Sequence, residues 1–170
     1  MKLVEPSIEY KLPYLEMISK WGQMEDLQNT SPFPLKYNTD DFEAFLDRLH
    51  QDKVNPSEGF VPSSSYWLIN NEGQVVSVSN LRHDLNDRLK IIGGHIGYGT
   101  RADMRRRGYA TKILELTLNE AKKMGIEKAM VTCYTENIGS NKTIINNGGK
   151  LYENSDVNGR MTNKYWIEIK

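Results

Sequence analysis

Apolar positions along this chain follow helical spacing first, then strand spacing, then the two in turn. Residues 2–5 alternate polar and apolar, as a short edge strand would, until Pro6 and Ser7 break the pattern. Over residues 8–21, Tyr14, Leu15, Ile18 and Trp21 fall on one helical face, closed by Gly22. Residues 23–39 contain Pro32 and Pro34 and read as loop. Asp40 or Asp41 then offers an N-cap to a second helix, in which Phe42, Phe45, Leu46 and Leu49 recur at i, i+3, i+4 and i+7. Residues 51–65 have loop composition, and a loop of that length within a compact domain points to function.

The period then shortens to two. Residues 66–69 make a short strand, Asn71-Glu72-Gly73 a turn, and residues 74–81 alternate around Val76, Val78 and Asn80, which together predict a hairpin. Residues 82–93 read as a loop with one helical turn, and residues 94–100 as the next strand. A helix is expected over 107–124, with Ala110, Ile113, Leu114, Thr117, Ala121 and Met124 as its inner stripe and Gly125 just past its end. Residues 128–133 form a short apolar strand of the kind buried on both faces. A short helix over 137–147 carries Ile144 and Ile145 and stops at Gly148-Gly149. Residues 151–153 and 160–169 pair as strands across the turn dipeptide Asn158-Gly159. The order is β–α–α–β–β–β–α–β–α–β–β. Antiparallel hairpins followed by a βαβ unit predict a mixed α/β sheet with helices on both faces. No repeat or linker interrupts it, so one domain over residues 1–170 is expected.

Composition narrows the function without naming it. At 38% hydrophobic and 26% charged residues, the chain has the balance of a water-soluble globular protein. The formal net charge is zero, which removes the global electrostatic case for nucleic-acid binding and leaves only local basic patches. Cys133 is the single cysteine, so no intrachain disulfide can form. No apolar run approaches the about 18 residues of a membrane span, and the N-terminus lacks a signal-peptide core. The expectation is a cytoplasmic protein with no membrane and no nucleic-acid partner.

One stretch carries the chemistry. Between the strand over 94–100 and the helix that follows lie Arg105, Arg106, Arg107 and Gly108. A glycine at a helix entrance lets the backbone approach a ligand and leaves the first amides of the helix free. Those amides and the positive end of the helix dipole favour a pyrophosphate, and the arginines add charge-assisted contacts. Read without a ligand, the same run is a solvated basic loop before an ordinary helix. Neither a Walker loop nor a dinucleotide fingerprint occurs here; the glycines at 93, 94, 97 and 99 have the wrong spacing and precede the loop.

Residues 96–110 resemble the central motif of the GNAT superfamily of acyl-CoA N-acyltransferases. That motif is a strand followed by [QR]-x-x-G-x-[GA], matched by Arg105, Gly108 and Ala110. A second element of the superfamily, N-x-x-[SA] then a helix and a glycine, is matched by Asn137, Ser140 and Gly148. The likeness spans about residues 66–155. The strings HIGYG, VTC, NIGSNKTI and NNGGKL resemble more narrowly a group of predicted bacterial GNAT acetyltransferases. The resemblance implies a GNAT-like fold, mostly antiparallel with a central parallel βαβ unit, and acetyl-CoA as co-substrate with no metal. It implies that the backbone around Tyr98, Gly99 and Thr100 binds the pantetheine arm and acyl carbonyl in a splay between two strands. Backbone amides from Arg106 through Gly108, Tyr109 and Ala110 to Thr111 would hold the pyrophosphate, and Asn137 and Ser140 would touch the cofactor further along. The acceptor would be a small-molecule or peptide amine, and similar proteins commonly form a homodimer through their terminal strands.

Two positions depart from that pattern. Ile144 stands where many members carry a tyrosine that protonates the leaving thiolate, and Gly149 where an aromatic residue is usual. Direct attack on the thioester needs a neutral amine, hence a base or a water relay. His95 on the central strand and His83 at the end of the preceding one are the candidate bases, each with a hydrogen-bonded structural histidine as its alternative. The three histidines and Cys133 have no metal-ligand spacing. A non-catalytic CoA-binding sensor or interaction module is the alternative to an acetyltransferase, and a basic nucleic-acid-binding domain conflicts with the zero net charge.

Overall fold

A computed structural model describes residues 1–21 and 31–170. Among the described residues seven strands and five α-helices follow one another: β1 (Lys2–Val4), α1 (Lys11–Trp21), α2 (Phe42–Val54), β2 (Ser63–Ile69), β3 (Val75–Arg82), α3 (Asp87–Ile91), β4 (Ile96–Thr100), α4 (Tyr109–Lys123), β5 (Lys128–Tyr134), α5 (Ile138–Asn146), β6 (Lys150–Val157) and β7 (Arg160–Glu168). Short 3₁₀ turns precede α1 and occupy Phe33–Lys36 and Ala102–Met104. The expected terminator of α1, Gly22, lies outside the described residues, as do residues 23–30 of the loop after it.

The elements form two antiparallel sheets, β1-β2-β3-β4 and β5-β7-β6. The β4–α4–β5 crossover expected from the sequence is present, but its two strands share no ladder. They meet at one bridge, Gly94 to Val131. Beyond it they part, and among the described residues β4 keeps one edge unpaired. This gap is the feature on which the site depends.

Both faces of the four-stranded sheet are covered, as period-two strands with apolar residues on each side require. Trp67, Ile69, Val75 and Val78 pack with Tyr14, Met17 and Trp21 of α1 and Phe42, Phe45 and Leu49 of α2. On the opposite face Tyr66, Leu68, Val76, Leu81 and Ile96 meet Ile113, Leu114 and Leu118 of α4. Buried hydroxyls fasten that face, with Ser79 against Thr117 at 2.7 Å and Ser77 against Thr100 at 2.6 Å. Ile144 is fully buried in the second cluster, and a Cβ on Gly149 would collide with it.

Several sequence-read boundaries move. The second helix runs on to Val54 because Arg48 and Asp52 pair one turn apart at 3.0 Å, and Pro56 follows its C-cap. Asp41, not Asp40, is its N-cap, accepting from the Ala44 amide at 3.0 Å. The helix expected from residue 107 begins at Tyr109, because Gly108 takes a left-handed conformation (φ 81°). Its inner stripe holds Leu118 and leaves Met124 41% exposed, since the helix ends at Lys123 and the chain turns away at Gly125. The last hairpin is longer than expected, with β6 extending to Val157.

Candidate active site in the gap between β4 and β5

The gap begins at a glycine pair and a histidine. Gly94 has φ 60°, and a Cβ there would run into the Met130 carbonyl. That close approach lets the next residue grip β5 twice. The His95 amide donates to the Met130 carbonyl at 2.7 Å, and His95 Nδ1 accepts the Met130 amide at 2.9 Å. The tautomer follows: with Nδ1 as acceptor, the proton sits on Nε2. Burial pushes the His95 imidazolium well down, to about 4; Asp84 opposes this weakly and Arg82 adds to it. The neighbouring Gly93 amide is held by Thr132 Oγ1 at 2.9 Å.

Further along β4 the polar backbone groups divide by parity. The His95 carbonyl and the Arg101 amide bond to β3. Alternation along the antiparallel ladder therefore turns the N–H and C=O groups of Ile96, Tyr98 and Thr100 away from β3, toward the gap. The other two positions, Gly97 and Gly99, lie against the opposite layer. A Cβ on Gly99 would strike Trp21 and the Ser31 carbonyl, so only glycine admits this packing. Tyr98 reaches across to α5, where its hydroxyl lies 2.8 Å from Ser140 Oγ. Burial raises its phenol far above the ordinary value, which keeps it protonated. Burial likewise pushes the Cys133 thiol up to about 11.

A cavity of about 220 Å³ occupies the gap, lined by Gly93, Ile96, Gly97, Tyr98, Cys133, Asn137 and Ser140 among others. Asn137 N-caps α5 through its side chain, accepting the Ser140 amide at 3.0 Å, so its amide group is partly committed to the fold. A second cavity, also about 210 Å³, adjoins the first at Arg82, Ile92 and Gly93 and is walled by Phe33, Tyr37, Asp52, Phe60 and Asn80. At the opposite end of β4, the N-terminus of α4 has no side-chain cap. Nothing within 4 Å would meet a Cβ on Gly108, so the entrance is open. Among the described residues, the amides of Tyr109, Ala110 and Thr111 make no backbone hydrogen bond. Arg101, fully buried, braces this loop by a two-pronged bond to Asp103 at 2.7 and 2.8 Å.

The residues singled out in the sequence therefore separate into three groups. Tyr98, Asn137 and Ser140 come together on one cavity. Gly99 and Thr100 continue its strand, and Arg105, Arg106, Arg107, Gly108, Tyr109, Ala110 and Thr111 lead from that strand into the free helix end. His83 and His95 line neither cavity; His83 Nε2 is 2.8 Å from Ser64 Oγ. Arg82, Thr132 and Phe60 also face cavities: Phe60 lies in the loop over 51–65 read as functional, whereas the sequence reading assigns no role to the side chains of Arg82 and Thr132. For Arg82 a signal existed, a charge closing an otherwise buried strand. Among the described residues, no cluster of three His, Cys, Asp or Glu side chains could hold a metal.

An unpaired strand edge beside a cavity, leading to an uncapped helix N-terminus, suits a long ligand with a polar amide arm and a pyrophosphate. The family profile described as "Acetyltransferase (GNAT) domain" matches residues 7–150, and the chain belongs to that family. Solved structures agree in fold. The microcin C7 self-immunity acetyltransferase MccE, solved with acetyl-CoA and AMP, is 19% identical with a TM-score of 0.69, over 98% of this chain and 91% of that one. The ribosomal L7/L12 α-N-protein acetyltransferase RimL, solved with coenzyme A, is 17% identical with a TM-score of 0.69, over 98% and 93%. The ribosomal-protein-S5-alanine acetyltransferase of Vibrio fischeri is 11% identical with a TM-score of 0.71, over 98% and 92%. No curated protein sequence matches this chain.

Proposed function

We propose that this protein transfers the acetyl group of acetyl-CoA to an amine of a small-molecule or peptide acceptor by direct attack. The observation that carries the reading is the open edge of β4, whose Ile96 and Tyr98 line a cavity lying between two approaches. At the C-terminal end of β4 is the free α4 N-terminus; at its N-terminal end is the second cavity. A co-substrate with its pyrophosphate on the amides of residues 106–111 and its arm along β4 would present its acyl end at Ile96–Gly97, where the two cavities adjoin. Acetyl-CoA supplies the activated acyl group. The chain supplies binding, orientation and backbone donors for charge that develops on the acyl oxygen. Asn137 and Ser140 border the arm, and the Tyr98–Ser140 hydroxyl pair provides a donor near the leaving sulfur, where Ile144 cannot.

His95 has its only lone pair on Met130, so its task in this reading is to fix where β4 leaves β5. His83 is turned to Ser64. We assign removal of the amine proton to water in the acceptor cavity. The lone Cys133 suits a cytoplasmic setting. The relatives' acceptors cover a ribosomal protein and, for the SpeG chimera of Vibrio cholerae, spermidine; both kinds present an amine.

Thermal melting with acetyl-CoA tests binding, and release of free thiol across a panel of amines tests transfer. A rise in melting temperature with turnover supports the proposal. No shift at millimolar acetyl-CoA overturns it, and binding without thiol release on any amine favours a CoA sensor. Arg106→Glu and Arg107→Glu should each weaken acetyl-CoA binding several-fold, and more so at low salt.

A further inference from the structure

The second cavity has a charge that no side chain among the described residues neutralises. Arg82, at the end of β3, is half-buried at the junction of the two cavities, where one Nη donates to the Gly93 and Gly94 carbonyls at 3.1 and 3.0 Å. Among the described residues no carboxylate lies within ion-pair distance of it. Two backbone carbonyls satisfy hydrogen bonds but carry no net charge, and a desolvated cation without a counter-ion is costly. Burial and the charge of Arg88 accordingly push the Arg82 guanidinium down to about 10.

Arg88 strengthens the imbalance. It stands on α3 over the Phe60 ring, 5.0 Å from its centroid, and lines the same cavity. The carboxylate that does line this cavity, Asp52, is already engaged: Arg48 pairs with it at 3.0 Å and the Tyr37 hydroxyl donates to it at 2.6 Å. The cavity thus has a spent acid on one wall and, on the other, two arginines with no carboxylate partner among the described residues, and Arg82 stands where the acyl group would arrive.

We propose that the acceptor is an amine that carries a carboxylate, held by Arg82 with Arg88 as the second cation. This rests on the acetyl-transfer reading and names its substrate class. A planar guanidinium suits a carboxylate in a two-pronged pair. The placement also aids the chemistry: with the carboxylate on Arg82, an amine one or two bonds away lies beside the acyl site, and the nearby positive charge disfavours its ammonium form. A polyamine, wholly cationic, meets repulsion in the same place.

The test compares each α-amino acid and short ω-amino acid with its own carboxamide as acceptor, in wild type, Arg82→Gln and Arg88→Gln. The thermal shift with acetyl-CoA is recorded alongside. The expected result is at least one acid with kcat/KM tenfold or more above that of its amide. That advantage should fall to within about twofold in Arg88→Gln, whose exposed position keeps the fold and the acetyl-CoA shift intact. Arg82→Gln retains a donor for the glycine carbonyls and should lose the preference too. Absence of any acid preferred over its amide, or a preference that survives both substitutions, overturns the proposal even when acetyl-CoA binds. Loss of the acetyl-CoA shift in wild type overturns the transfer reading instead.

Discussion

The imidazole of His95 accepts the backbone N–H of Met130 at 2.9 Å, in the place where a neighbouring strand would have offered a carbonyl. With the His95 amide on the Met130 carbonyl, one residue satisfies both backbone groups of its partner. β5 therefore needs nothing further from β4 at this point, and the strands are free to separate beyond it. His95→Ala should leave a buried N–H unpaired and destabilise the fold by about 1–3 kcal/mol. Urea unfolding at neutral pH measures this, and an unchanged midpoint would show that the bond carries no weight.

The same bond fixes the direction of a pH effect. Protonating Nδ1 would set two N–H groups against each other in a buried place, consistent with a folded value of about 4 against an ordinary 6.5. The unfolded chain therefore binds the proton first. Stability is full above about pH 6.5 and falls as the pH drops toward about 4, by a total on the order of 3 kcal/mol. Denaturant midpoints taken across that window should slope in wild type and flatten in His95→Ala.

Tyr98 and Ser140 bring together a strand and a helix far apart in the chain, and their hydroxyls lie 2.8 Å apart on the cavity. A phenol whose proton is held so firmly cannot act as a strong acid, but it can donate a hydrogen bond to a leaving sulfur. Tyr98→Phe keeps the ring packed and removes that donor. It should lower kcat by roughly tenfold, the value of one such bond in a transition state, with little change in the KM for acetyl-CoA. A raised KM with kcat unchanged would instead assign Tyr98 to ground-state binding.

How much of this could be read in the sequence depended on the reach of each interaction. Phe42, Phe45 and Leu49 announced α2 because their partners' positions follow from the helix itself. Arg105 to Thr111 announced a phosphate-type helix entrance because glycine and basic residues act locally there. The separation of β4 from β5 was not legible, since it needs Gly94 to approach Met130, 36 positions on. The commitment of His95 was hidden for the same reason: a histidine on a strand reads alike whether it faces substrate or a neighbour's amide. The role of Arg82 was not legible from its charge at the end of a strand, because it depends on the lack of a counter-ion among the described residues, which the packed cavity reveals.

Asp103 supports the approach to α4 through Arg101, whose side chain is fully buried and leaves one Nη without a partner among the described residues. The Arg101 guanidinium holds the Asp103 carboxyl down at about 2. A carboxylate lowered in this way stabilises the fold at all pH values above its unfolded value near 3.8, and that contribution drains away as the pH falls toward 2. Asp103→Asn removes the charge paired with a buried cation; because the Asp103 carboxylate itself is exposed and solvent screens the pair, the cost at neutral pH should be about 0.5–1 kcal/mol. Acid unfolding of this variant should also be shallower than wild type below pH 4. A variant as stable as wild type at pH 7 would mean that Glu16, 3.6 Å from Arg101, takes over the pairing.

Gly94 and Gly108 share a positive φ but face different surroundings, which separates backbone strain from crowding. At Gly108 an added Cβ meets open space, so Gly108→Ala pays only the left-handed penalty, about 1–2 kcal/mol. At Gly94 the same Cβ is aimed at the Met130 carbonyl, which must withdraw and release the His95 amide. Gly94→Ala therefore adds the loss of that bond, about 1 kcal/mol, and an overpacking cost of about 1–3 kcal/mol. The gap at its root should also change shape, so Gly94→Ala should weaken acetyl-CoA binding although it lies far from the pyrophosphate end. Paired urea melts and acetyl-CoA titrations of the two variants decide the matter. Should Gly94→Ala prove as mild as Gly108→Ala, the bridge between Gly94 and Val131 would not be what sets the width of the site.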